Sequence, residues 1–215
     1  MVESSIDNLF KGAIAFKEKD FLAYKKLFED LKEGQNPHTL FIGCSDSRVV
    51  PNLITKTLPG ELFVIRNIAN IVPPYRQADE YLATTSAVEY ALEALKVENI
   101  IICGHSHCGG CAALYEEEHF EARMPNVRNW LKLIQGVKER VLALQPKDKI
   151  IRSFLTEQIN IENQIKNLFT YPNVKEKYLA RTLHIYGWHY IIESGEVYSY
   201  DFKKHEFNLL KKDTR

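Results

Sequence analysis

The sequence contains no apolar run approaching the roughly 18 to 20 residues needed to cross a bilayer, so no membrane partner is expected. Its opening stretch, MVESSIDNLFKGAIAF, lacks a basic segment followed by an apolar segment and a cleavage site, and a cytoplasmic location is expected. Net charge is absent too: 28 lysines and arginines balance 28 aspartates and glutamates, so no overall field recruits nucleic acid or anionic lipid. Repeats, low-complexity tracts and linkers are missing, and a single domain over 1–215 is expected, with 1–36 as a helical arm and 37–215 as the core. Cysteine is scarce, at positions 44, 103, 108 and 111 only. In a reducing compartment these thiols serve as metal ligands, nucleophiles or core residues rather than as disulfides.

What is present suits a folded enzyme-sized domain: 45% of the 215 residues are hydrophobic, enough for a sizeable core. Phe21, Tyr24, Leu27, Phe28 and Leu31 recur at helical spacing, and Gly34 with Pro37 ends that segment. TLFIGC (39–44), LFVIR (62–66) and NIIIC (99–103) are short, almost wholly apolar runs, as expected of strands buried on both faces. TLHIYGWHYIIE (182–193) is a fourth run, less clean. A helical pattern over 78–95 separates the second and third runs, and the alternation predicts an α/β fold with a mostly parallel sheet flanked by helices. Helix is also expected over 106–118, 125–144 and 148–169, the last two without any cluster that looks catalytic. Gly195 between WHYIIE and EVYSYDF predicts a hairpin that adds an antiparallel edge strand.

The chemistry concentrates in CSDSR (44–48) and GHSHCGG (104–110), each following a buried strand at its carboxyl end, where open parallel sheets place ligands. Cys44 and Asp46 lie two residues apart in a turn. His105 and Cys108 lie three apart, as if facing one point from the first turn of a helix. Two thiolates, an imidazole and a carboxylate suit zinc and exclude calcium and magnesium. The carboxylate is exchangeable, because Arg48 can take Asp46 in a two-bonded pair and leave the metal open to water. Water on zinc ionises near neutrality, which suggests attack on a small electrophile.

CSDSR, RNIAN (66–70), SAVEYAL (86–92) and GHSHCGG, in that order, resemble the signature of β-class carbonic anhydrases, and GWHYIIESG (187–195) resembles that family's closing strand. The resemblance implies one zinc per chain on Cys44, His105 and Cys108, with Asp46 and Arg48 as the dyad orienting zinc-bound hydroxide for reversible hydration of carbon dioxide to bicarbonate. It implies a homo-oligomer, dimer or tetramer, with the site at the dimer interface. Gln35, nine positions before Cys44, matches a glutamine of the plant-like branch that hydrogen-bonds bicarbonate across that interface. Phe63 and Tyr90 match aromatic residues walling the pocket. A bicarbonate-regulated bacterial branch carries tryptophan three residues before the first cysteine, acting with an arginine and a tyrosine. Here Phe41 stands in that place, with Arg66 and Tyr190 matching the other two, and an open, unregulated site is expected.

Other readings compete. His107 offers itself in place of His105 as ligand, or as a proton relay, and the resemblance selects His105 as ligand. Cys108 and Cys111 form a C-x-x-C, but Cys103 and Cys111 are expected in the core. A hydrolase of carbon disulfide or carbonyl sulfide would use the same attacking group, and a zinc-stabilised binding module would need no exchangeable carboxylate.

Overall fold

The computed structural model describes residues 4–77, 82–116 and 123–212. The chain divides into two compact units, 1–36 and 37–215.

In the first unit, helix α1 (Ser5–Ala15) opens with a capping box in which Ser4 and Asp7 exchange hydrogen bonds. A π-helical turn at Phe16–Asp20 and a short Phe21–Ala23 segment lead to α2 (Lys25–Leu31). Helix thus begins well before the expected Phe21. The rings of Phe16, Phe21 and Phe28 cluster, Phe21 stacking on Phe28 at 5.3 Å, while Ile6, Leu9, Phe10 and Ile14 stay exposed. Gln35 lies in this unit and is exposed.

The second unit is a six-stranded sheet in the order β2-β1-β3-β4-β5-β6. β1 (Thr39–Cys44), β2 (Leu62–Asn67), β3 (Asn99–His105) and β4 (His184–Tyr190) are mutually parallel, and β5 (Val197–Asp201) and β6 (Glu206–Leu209) are antiparallel. The expected antiparallel edge is therefore two strands. Helices α3 (Pro51–Thr55), α4 (Ala83–Glu93), α5 (Gly109–Ala112), α6 (Pro125–Leu131), α7 (Gln135–Ala143), α8 (Lys149–Leu168) and α9 (Pro172–Leu179) complete it. Among the described residues no helix is long and apolar enough to cross a membrane.

Three helical expectations change, the first because the helix expected over 125–144 is two, α6 and α7, separated by a 3-10 turn at Lys132–Ile134. Helix over 106–118 shrinks to α5 and a 3-10 turn at Ala113–Tyr115, with 117–122 outside the described residues. Two adjacent glycines, Gly109 and Gly110, weaken helix propensity there. The helix expected over 78–95 is described from Ala83 to Glu93, and 78–81 lie outside the described residues.

The sheet's packing follows from strand periodicity. Leu40 and Ile42 of β1 and Ile100 and Ile102 of β3 meet Val88 and Leu92 of α4 and Ile161, Ile165 and Leu168 of α8 in the main core. Phe41, Ile101 and Cys103 point to the other face, under Trp188 and Tyr190. Cys103 is a core residue, as expected, its thiol pushed up to about 12 by burial.

After β2 the chain turns through Ala69 and Asn70, both with left-handed backbone (φ 61° and 45°), which costs a non-glycine residue about 1–3 kcal/mol. Gly110 presses on this turn. A Cβ at Gly110 would stand 2.9 Å from the Ala69 Cβ and 3.1 Å from the Ala69 backbone nitrogen. Gly110→Ala must push the two loops apart and should lower stability by about 1–3 kcal/mol, measured by urea unfolding. A variant as stable as the parent would show that the loops yield freely.

Candidate metal centre

The strand order reverses direction at β1. The chain leaves β1 for β2 on one side and returns as β3 on the other, so the carboxyl ends of β1 and β3 flank a crevice. Cys44 ends β1 and His105 ends β3, and Gly43 pairs with Cys103, which brings the two donors to neighbouring strand ends with His105 one residue beyond the level of Cys44. A turn through His107 (φ 55°) then brings Cys108 back to the same point. Cys108 is the extended residue before α5, so it meets His105 across a turn and not, as the spacing suggested, on one helix.

The Cys44 and Cys108 sulfurs, together with a His105 ring nitrogen, all lie within 4.8 Å of one another, and all three residues are buried. The sulfurs are 4.0 Å apart. Two sulfurs about 2.3 Å from a common tetrahedral ion stand about 3.8 Å apart, so the thiols are already near zinc spacing. His105 Nδ1 donates to the Ser106 carbonyl at 2.9 Å, which leaves Nε2 with a free lone pair. That Nε2 is buried without a hydrogen-bond partner. A buried acceptor left bare is costly unless something electropositive meets it.

The thiols carry the same message. Cys44 is pushed up to about 12, chiefly by its hydrogen bond with Cys108 and by burial. Cys108 is raised well above a free thiol, mainly by Cys111 and burial, against a lowering contact with Cys44. Neither ionises readily alone, and a dication is what would stabilise both thiolates. The donor set and the bare imidazole nitrogen thus fit zinc.

Asp46 stands at the rim, its Oδ2 3.9 Å from His105 Nε2. Arg48 holds it: Nε donates to Oδ1 at 2.9 Å, Nη2 to Oδ2 at 2.8 Å, and the Arg48 backbone N–H to Oδ1 at 3.0 Å. The same Nη2 donates to the His107 carbonyl at 3.1 Å, joining the two loops. Arg66, from β2, donates to the carbonyls of Cys44 (3.0 Å) and Asp46 (2.6 Å) and so fixes the turn between them.

Residues placed elsewhere are equally definite. Phe63 and Tyr90 meet each other with ring centroids 5.9 Å apart. Phe63 pairs with Leu40, four positions before Cys44, roughly 13 Å back along the strand. His107 is exposed, its Nε2 3.6 Å from Glu193 Oε1, and Cys111 is buried beside Asn160.

The helix expected over 148–169 is α8, and what sequence reasoning missed is its polar contacts to the site. Asn160 donates to the Ala69 carbonyl (2.9 Å), Gln164 accepts from the Val72 N–H (2.9 Å) and Asn167 donates to the Val72 carbonyl (2.7 Å). Glu157 accepts from the Cys108 N–H at 3.2 Å, and its other oxygen lies 3.1 Å from His189 Nε2. The signal was there: polar residues at 157, 160, 164 and 167 share one helical face with apolar Ile161, Ile165 and Leu168.

Comparison with known proteins agrees with this geometry. The carbonic anhydrase family model matches residues 39–197. A carbonic anhydrase of Helicobacter pylori strain J99 is 45% identical over 94% of this chain and 93% of its own length. The chain belongs to the β-class carbonic anhydrases, and it is an enzyme. The solved β-carbonic anhydrase CcaA superposes with a TM-score of 0.92 at 40% identity, covering 98% of this chain and 94% of that one. One of two β-carbonic anhydrases of Sordaria macrospora, described as tetrameric, gives 0.81 at 32% identity over 92% of this chain and 97% of its own.

The pair of Asp46 and Arg48 sets a pH dependence. Arg48's hydrogen bonds hold the Asp46 carboxyl well below the usual carboxylate range. Its contribution to stability is therefore present above the unfolded carboxylate pKa of about 4 and is lost as pH falls through the depressed folded value. In Arg48→Ala the Asp46 carboxyl should titrate at higher pH, followed by carbon NMR of the carboxyl group. An unmoved titration would contradict the assignment of cause.

Proposed function

We propose that this carbonic anhydrase catalyses reversible hydration of carbon dioxide to bicarbonate and a proton, with one zinc per chain held by Cys44, His105 and Cys108. The observation that carries the reading is a buried, partnerless imidazole nitrogen beside two thiols 4.0 Å apart. Zinc held there would supply Lewis acidity, bringing deprotonation of water to about pH 7. The protein's own residues do the rest. Ser106 fixes the His105 ring so that Nε2 faces the thiols. Asp46, kept ionised and turned aside by Arg48, is left as an acceptor that orients the attacking water. Arg48, bound also to the His107 carbonyl, keeps that acceptor in register with the Cys108 loop.

On the family pattern, Gln35 would hydrogen-bond bicarbonate, Phe63 and Tyr90 would wall the approach for an apolar substrate, and a dimer or tetramer would be the working assembly. The exposed apolar side chains of the first unit and the tetrameric relatives of Sordaria macrospora support an oligomer.

Two outcomes follow. Arg48→Ala should retain its zinc while carbon dioxide hydration falls about 10²-fold, measured by metal analysis and stopped flow; full activity would remove the dyad from the mechanism. Cys108→Ser should lose the zinc.

Phe41 has no polar donor and packs edge-on against Trp188 at 6.4 Å, so a second bicarbonate site formed with Arg66 and Tyr190 would lack one donor. Bicarbonate should accordingly inhibit without cooperativity. A sigmoidal inhibition curve would overturn this.

A further inference from the structure

We infer that Glu157, on α8, is the residue that positions the metal ligand Cys108. The inference rests on Cys108 binding zinc, as proposed above. Cys108 sits in a segment with little stiffness of its own. His107 before it is in the left-handed region, and Gly109 and Gly110 follow it without side chains. A sulfur in such a segment reaches a fixed point only if its backbone is held from outside.

The hold comes from Glu157. The Cys108 N–H donates to Glu157 Oε1 at 3.2 Å, while Glu157 Oε2 stands 3.1 Å from His189 Nε2. Glu157 is 3% exposed and His189 is fully buried. Burying a carboxylate is expensive unless its oxygens are engaged, and here both are. The surroundings otherwise have no use for a charge, since the His189 ring packs edge-on against Phe154 at 5.2 Å and lies 6.3 Å from Phe207. One oxygen therefore anchors the carboxylate to β4, and the other takes the backbone of the metal ligand. Groups behind a metal ligand that fix its direction typically contribute about 10- to 100-fold to metal affinity.

The geometry separates reach from charge. Glu157→Gln keeps an oxygen at the same distance for the Cys108 N–H, whereas Glu157→Asp keeps the charge but is one methylene short. The test uses the zinc-loaded protein, with zinc affinity measured by chelator competition and the sulfur-to-cobalt charge-transfer band recorded on the cobalt-substituted form. Glu157→Asp should bind zinc about 10- to 100-fold more weakly and shift that band, and Glu157→Gln should stay close to the parent in both. Glu157→Ala should resemble Glu157→Asp; if it does not fold, the Asp and Gln pair decides alone. A parent that binds zinc while Glu157→Asp matches it in affinity and spectrum overturns the positioning role and leaves the metal site intact. Equal losses in Asp and Gln also overturn it, because preserving the reach would then protect the site no better than losing it. A parent that takes up no zinc overturns the metal reading itself, and this inference with it.

Discussion

The site depends first on the parallel register between β1 and β3. With Gly43 opposite Cys103, Cys44 stands level with Gly104 and His105 one residue further on, so both donors leave their strands at the mouth of one crevice, and a slip in register would change the step between them. That register is held by the main core, where Leu40 and Ile42 interlock with Ile100 and Ile102 under two helices. Hydrophobic packing thus sets the positions, and polar contacts refine them. Arg48 and Arg66 then act as cross-ties: one joins the loops that follow β1 and β3, the other secures the turn between Cys44 and Asp46.

Electrostatics explains why such a cluster persists in a buried place. Two thiols and an imidazole are tolerated while the thiols stay protonated, and burial with mutual hydrogen bonding keeps them so. A dication reverses that balance. Asp46 is managed in the opposite sense, since its guanidinium partner secures the charged form. Within a few ångströms, then, acids are held neutral or ionised according to whether a cation or a hydrogen-bonded partner is at hand.

Much of this was legible in the residues. The apolar runs marked β1 and β3 because buried parallel strands need no alternation, and CSDSR and GHSHCGG lay at their carboxyl ends; LFVIR was expected to be buried on both faces too, but β2 is the edge of the sheet and only partly buried, with Val64 exposed. The 106–118 helix was misjudged because Gly110, which lets α5 approach Ala69, and its neighbour Gly109 both weaken helix propensity. Glu157 escaped notice for a different reason: its partners, Cys108 and His189, are 49 and 32 residues away. Local patterning carries periodicity but not the identity of a distant backbone amide. The same holds for Arg66, whose value lies in two carbonyls that any sequence possesses.

The left-handed pair Ala69 and Asn70 has a consequence for how the molecule comes together. Its conformation is unfavourable in isolation, and the carbonyl of Ala69 is secured by Asn160, 91 positions further along the chain. Asn67 brackets the pair locally, its side chain bonding both the N–H and the carbonyl of Ile71, but until α8 has docked the Ala69 carbonyl lacks its Asn160 donor. The last tie on the floor of the crevice is therefore a long-range one, and a nascent chain still lacking α8 would have β1, β2 and β3 with that floor unsecured.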